Sequence, residues 1–362
     1  MQQPARSLLV FTSLLLTTVA AGTADPPTAA EDPHAVRERL LAEIETLATD
    51  QDVAESERLA RFIDLQLEYA LNEFPELGTF MGMPADHGRW TDDSPEAVAR
   101  READARRALA ILEGIDRARL DEDDRLDYDL LLERARSRVE GQRFPSEYLA
   151  INQMGGVHQG ATQLLSMMPT FTREQYGDIL SRLAGVDEQV DQTLYWLRQG
   201  LDAGVTPPRI TLRDLPEQVE NLLVDDPLAS PMLTAFTRIP DTIPAEEHDG
   251  LRERAVEIFT REIVPAFERL HAFLAEEYVP AARRSIAMTA LPDGEAWYAF
   301  RVHQSTTTTM TPEEIHQLGL SEVERIRAEM ADVIASVDFD GDFDDFLELL
   351  RTDERFYAET DD

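Results

Sequence analysis

The amino-acid sequence predicts an all-α fold of packed antiparallel helices. Three observations carry this. Apolar residues recur at spacings of three and four along most of the chain. Several of these runs open on a Ser or Thr followed by Pro or by a Glu/Gln capping box. The connectors between them are short and punctuated by Gly and Pro.

The elements follow in order. Residues 34–49 and 55–73 read as two amphipathic helices, the second holding Leu59, Phe62, Ile63, Leu67 and Ala70 and stopping near Pro75. Ser94-Pro95-Glu96 offers an N-cap and a proline at the first helical position, opening a helix to about Glu113 before Gly114. A helix over 121–140 places Leu126, Leu130, Ala135 and Val139 on one face. Residues 142–170 lose the period around Gly155, Gly156 and Gly160 and read as a long ordered loop. Thr172 to Gln175 is a capping box, and Ile179, Leu183, Val186, Val190, Leu194, Leu197 and Leu201 extend one buried face to Gly204. Arg209 to Leu215 reads as a short strand or extended loop, followed by a helix of about 216–224. The pattern over 245–277 contains Pro265, which removes a backbone donor and should kink or split the helix. Thr311-Pro312-Glu313-Glu314 opens a last long helix whose expected core face is Ile315, Leu318, Val323, Ile326, Met330 and Val333.

Composition excludes several functions. The chain has 362 residues and no cysteine, so disulfides, thiolate zinc sites, thiol nucleophiles and lipoprotein acylation are ruled out for this sequence. Its net charge is -37, and with no lysine all 34 basic residues are arginine. Such an acidic surface repels phosphate backbones, so no nucleic-acid partner is expected. Residues 1–24 read as a secretory signal: Arg6, an apolar run from Leu8 to Ala21, and a small-residue cleavage site at Gly22-Thr23-Ala24. A retained anchor is the other reading of that run. Residues 25–33 read as a flexible leader, and 34–362 as one helical domain without a membrane span. The mature protein is therefore expected to be exported, periplasmic or secreted.

Local catalytic motifs are missing. No two of the seven histidines stand four apart and none precedes a glutamate, so no helical turn presents a zinc pair. The run Asp338, Asp340, Asp342, Asp344 fails as a calcium loop, because Phe343 and Leu349 stand where Gly and Glu are needed. It reads as an acidic helix start instead. G-x-S-x-G, P-loop and dinucleotide fingerprints do not occur. Two polar clusters in irregular stretches remain as substrate-binding candidates. Gln153 and His158 lie with Asn152 and Gln159 among glycines, and Trp297, Tyr298, Arg301 and His303 precede a threonine run. Amide, aromatic and guanidinium groups of this kind can hold a peptide's backbone and carboxylates. The plainer reading is loop packing, with Trp297 and Tyr298 capping a helical core.

Several stretches, in order, resemble the bacterial domain of unknown function family 885. They are Leu120 to Leu132, Tyr176 to Pro208, Leu215-Pro216-Glu217-Gln218-Val219, Ser230-Pro231, Thr311 to Ile326, and Leu349-Leu350-Arg351-Thr352-Asp353. The resemblance implies a helical, zinc-metallopeptidase-like fold in which two histidines and a glutamate hold zinc and a second glutamate activates water. The segment expected to carry them bears His-Glu on a helix, a Pro-Gly-His and a Glu-Gly-Trp stretch, and it has no counterpart before Asp362. The expectation is a fold incomplete at the C-terminus, with that segment missing as a partner. Within this chain no catalytic residue, no metal ligand and no cofactor is expected; zinc and a peptide substrate are expected of a full-length member.

Two functions follow. One is the substrate-cleft-forming N-terminal part of an exported zinc-dependent peptidase, itself inactive. The alternative is a non-enzymatic periplasmic helical binding module.

Overall fold

The computed structural model describes residues 32–50, 52–337 and 339–357. The signal-peptide reading and most of the leader fall outside them. Among the described residues every regular element is helical, and no helix is long and apolar enough to cross a membrane. One isolated antiparallel bridge pairs Asn152 with Gly155.

A first core lies between α1 (Pro33–Thr49), α2 (Glu55–Glu73), α4 (Pro95–Glu113) and α5 (Glu122–Gly141). Leu40, Ile44, Leu59, Phe62, Leu112 and Tyr128 fill it. Between α2 and α4 stands α3 (Pro75–Met81). Pro75 ends one helix and opens the next, where a missing N–H costs nothing. Asp104 of α4 is buried and accepts from Arg37 Nε and Nη2 at 2.8 and 2.7 Å and from the Tyr69 hydroxyl at 2.9 Å. That one carboxylate staples α1, α2 and α4.

On α5 the expected stripe is divided. Leu126 and Leu130 are exposed, while Tyr128, Leu131, Leu132 and Ala135 face the core. The leucine period marks an apolar strip, but contact with α4 and α2 decides which strip is covered.

The second core gathers α6 (Val157–Met167), α7 (Arg173–Ala184), α8 (Val186–Ala203), α9 (Leu215–Glu220), α10 (Thr234–Thr237), α11 (Ala245–Ile258), α12 (Val264–Phe273) and α13 (Val279–Ala281). Tyr176, Phe236, Phe259, Phe267 and Tyr278 are its large, fully buried members. The capping box at Thr172 forms, with Gln175 answering the N-cap backbone. Ile179, Leu183, Val186, Val190, Leu194 and Leu197 are buried as expected. The run is not one helix, however. It breaks at Gly185, where a Cβ would stand 2.6 Å from Trp90 Cδ1.

Other readings need correction. The glycine-bearing stretch 142–170 contains the helix α6, begun at Gly156 with φ 138°. Its glycines sit before the helix and at Gly160, and burial of Ala161, Leu164 and Leu165 outweighs the weak propensity. Arg209 to Leu212 is a 3₁₀ turn rather than a strand. Pro265 does divide its helix, through a π-helical turn, Phe259–Ile263, between α11 and α12. A second π turn, Leu274–Tyr278, precedes Pro280 in α13. In each, the wider turn lets the chain pass the proline's missing donor without ending.

A small third core joins Phe144, Val205 and Leu291 to Trp297 and Phe300 of α14 (Gly294–Thr306). Last come α15 (Pro312–Ser336) and α16 (Phe343–Thr352), which pack on each other. The expected core face of α15 is not covered. Leu318, Val323, Ile326, Met330 and Val333 are exposed, Ile315 is partly covered, and among the described residues of that helix Ile334 alone is buried. The acidic run before α16 is a helix start: the Asp342 side chain accepts from Asp344 N and Asp345 N. Asp338 lies outside the described residues.

Candidate functional site

The two polar clusters have different fates. Gln153 and His158 are brought together by α9. His158, at the start of α6, is buried, with its Nε2 3.1 Å from Gln218 Oε1. Gln159 Nε2 donates to the Gln153 carbonyl at 3.2 Å and to Gln218 Oε1 at 3.3 Å. Gln218 Nε2 reaches the same Gln153 carbonyl at 3.5 Å. His158 therefore carries its proton on Nε2. Its Nδ1 is buried without a partner among the described residues. Burial holds the imidazole below its ordinary pKa, against the Gln218 contact. This is a neutral histidine that anchors a loop, with Gln153 left exposed above it.

Trp297 is removed from the candidate surface. It is 2% exposed and stacks on Phe144, with centroids 5.5 Å apart and planes 6° from parallel. Tyr298, Arg301 and His303 remain at the surface of α14. Arg301 Nη1 donates to Gln304 Oε1 at 2.9 Å. His303 Nδ1 lies 2.8 Å from the Thr308 carbonyl and its Nε2 3.3 Å from Glu133 Oε1. Both neighbours are acceptors, so both ring nitrogens donate in the imidazolium. The Thr308 carbonyl first, and then Glu133, raise its pKa.

One segment links the groups. Residues 144–156 run from Phe144, stacked on Trp297, past Tyr148, tilted against Trp196 at 5.9 Å, to the Asn152–Gly155 bridge tied down by Gln218. Among the described residues no hydrogen bond or ion pair joins His158 directly to the α14 residues.

Sequence reasoning missed Gln218 as the hub, since nothing in the period of α9 ties it to a loop some sixty residues earlier. It also missed a groove of about 410 Å³ between α8 and α12, lined by Arg198, Arg269, Phe273, Glu276 and Glu277 among others. Arg269 bridges Asp187 at 2.5 Å and Asp191 at 2.9 Å on α8, and Arg198 lies over the Phe273 ring at 4.9 Å. The i, i+4 acids on α8 were its one visible signal.

Among the described residues no three His, Asp or Glu side chains stand together as a metal would require. The His303–Glu133 pair has a backbone carbonyl as its third neighbour. The described residues do not fit the zinc site that the resemblance implies.

The family model described as a bacterial protein of unknown function, DUF885, matches residues 75–362. This chain belongs to that family. This DUF885 chain also has a solved likeness: "The crystal structure of the putative lipoprotein from Colwellia psychrerythraea" superposes on it with a TM-score of 0.71 at 16% identity. The match covers 90% of this chain and 56% of the Colwellia chain, so this chain spans little more than half of that protein's length. At that identity the likeness concerns the fold alone. No curated protein matches the chain.

Proposed function

We propose that this DUF885 chain forms the substrate-cleft portion of an exported zinc-dependent peptidase whose metal ligands lie outside residues 1–362. The observation that carries the reading is the segment 144–156. It is pinned at one end by Trp297 and at the other by Gln218; Gln153 within it is exposed, and Tyr298 and Arg301 are exposed on α14, the helix that carries Trp297. A rigid wall with amide, phenol and guanidinium groups suits an extended peptide, whose backbone needs paired partners and whose carboxylate suits arginine. The apolar N-terminal run supports export, as does the word lipoprotein in the name of the Colwellia protein.

The test is peptide binding by the purified chain, followed by fluorescence anisotropy of a labelled acidic-ended peptide, with metal analysis after dialysis. The reading expects weak binding that falls about tenfold in Arg301→Ala or Gln153→Ala, in line with loss of one charge-assisted or buried polar contact. It also expects no hydrolysis and no retained zinc. Binding indifferent to both substitutions, or stoichiometric zinc in the isolated chain, overturns it.

A further inference from the structure

His158 supports the 144–156 wall from below through a single donor. Its Nε2–H meets Gln218 Oε1 at 3.1 Å, and that oxygen also accepts from Gln159 Nε2 at 3.3 Å. The two glutamines in turn reach the Gln153 carbonyl, at 3.2 Å from Gln159 and 3.5 Å from Gln218. The Asn152–Gly155 bridge stands on this support, with Asn152 N donating to the Gly155 carbonyl at 2.9 Å.

The other ring nitrogen has no place for a proton. His158 is 1% exposed, and its Nδ1 has no partner among the described residues. Gly156 closes over it: a Cβ there would stand 3.2 Å from Nδ1 and 2.5 Å from Ile151 Cγ1. His158 is also the second residue of α6, whose first turn carries no acidic side chain and no side-chain cap. A cation at that position meets the positive end of the helix without a counter-charge.

The surrounding elements supply none. Residues 151–156 hold no titratable side chain, and α6 holds no other than His158. From α9 comes Gln218, while Glu217 and Glu220 are exposed. No charged group of α3, α7 or α8, which also pack on α6, bears on the ring; burial and then Gln218 are the influences. A proton on Nδ1 would thus bury an unpaired donor together with an uncompensated charge. The ring escapes both by turning out to water, and the Gln218 support goes with it.

We propose that His158 is an acid-sensitive latch: proton uptake at Nδ1 expels the ring and frees Gln153 and its loop from Gln218. The inference takes residues 144–156 as the peptide-binding wall of the proposed function.

Native-state hydrogen exchange at pH 7.5 and 5.5 tests it, each rate being divided by that of an unprotected amide at the same pH. Asn152 N and Gly160 N, which donate to the Gly155 and Gly156 carbonyls, report on the wall. Their protection should fall about tenfold over this interval, as expected when the open form titrates as a free imidazole near 6.5 and the closed form stays neutral. Phe62, in the first core, should keep its protection. His158→Gln keeps an N–H donor for Gln218 and cannot titrate, so protection should become independent of pH. Gln218→Glu offers the imidazolium a carboxylate and should shrink the acid effect. Equal wild-type protection at the two pH values overturns the proposal, and that comparison needs no variant to fold. An equal loss at Phe62 also overturns it, since the opening would then be global. So does an acid effect that persists in His158→Gln. Peptide affinity plays no part in these readings: a chain that opens with acid but binds no peptide keeps the latch and sinks the cleft.

Discussion

The indole nitrogen of Trp90 donates to the carbonyl oxygen of Arg182 over 2.7 Å, at the point where α7 gives way to α8. The ring lies where a side chain at Gly185 would stand. It also faces the buried Arg182 guanidinium, 5.5 Å from the ring centroid, which donates through Nε to the Arg89 carbonyl at 3.1 Å and through Nη1 to Thr79 Oγ1 at 2.8 Å. The loop carrying Trp90 is strapped down by α8. Gln189 donates to the Thr91 carbonyl at 2.9 Å, Gln192 accepts from Asp93 N at 2.8 Å, and Trp196 donates to the Asp93 carbonyl at 2.7 Å. One aromatic wedge thus stands at the break between α7 and α8 and packs against the second core.

That wedge makes Gly185→Ala context-dependent. In a free helix the change stabilises by about 1 kcal/mol. Here the new methyl meets a ring, and the expected outcome is destabilisation by about 1–3 kcal/mol. Trp90→Ala alone should cost about 3 kcal/mol through the lost packing. In the Trp90→Ala background Gly185→Ala should become neutral or stabilising. Urea unfolding of the four proteins closes the cycle, and additivity of the two changes would refute the wedge.

Leu194 is 3% exposed in the middle of α8. Leu194→Asp should abolish folding, because an unpaired buried carboxylate costs several kcal/mol, comparable to the whole stability of a domain. Circular dichroism and thermal melting read the result. A helical spectrum with an unchanged melting temperature would refute the assigned packing.

The two candidate histidines should titrate on opposite sides of the ordinary value of 6.5. Buried His158 is held down. The unfolded chain takes up its proton first, so this site costs stability as pH falls from about 6.5 toward the folded value. His303 is held up by Thr308 and Glu133. Its contribution is fully present below about 6.5 and is lost as pH rises through the folded value. Because His303 is exposed, that contribution is small. NMR titration of the ring protons checks both, and Glu133→Gln should lower the His303 midpoint. Coincident midpoints near 6.5 would contradict the geometry.

A net charge of -37 repels itself, so the melting temperature should rise with added salt as screening grows. The same screening should let the exposed α15 strip bind hydrophobic dye and associate loosely at high salt. Val323→Glu with Met330→Glu should suppress both. Size-exclusion chromatography with dye fluorescence measures this. A dye-free monomer at low and high salt would show that the strip is covered within the chain.

What the sequence determined by itself was local. Ser94-Pro95, Thr172 to Gln175 and Thr311 to Glu314 begin helices because each cap satisfies backbone donors within four residues. The face from Ile179 to Leu197 is buried because six apolar residues on one stripe leave the helix few other ways to pack. The all-α class followed from such signals. Tertiary structure decided whatever depended on a partner distant in sequence. Trp90, some ninety residues before Gly185, broke the long run into α7 and α8. Phe144 took Trp297 into a core, and Gln218 made His158 an anchor. The α15 stripe shows the limit most plainly. Its period announces an apolar face, but a period records only what a helix can bury, and whether anything lies against it depends on packing between elements.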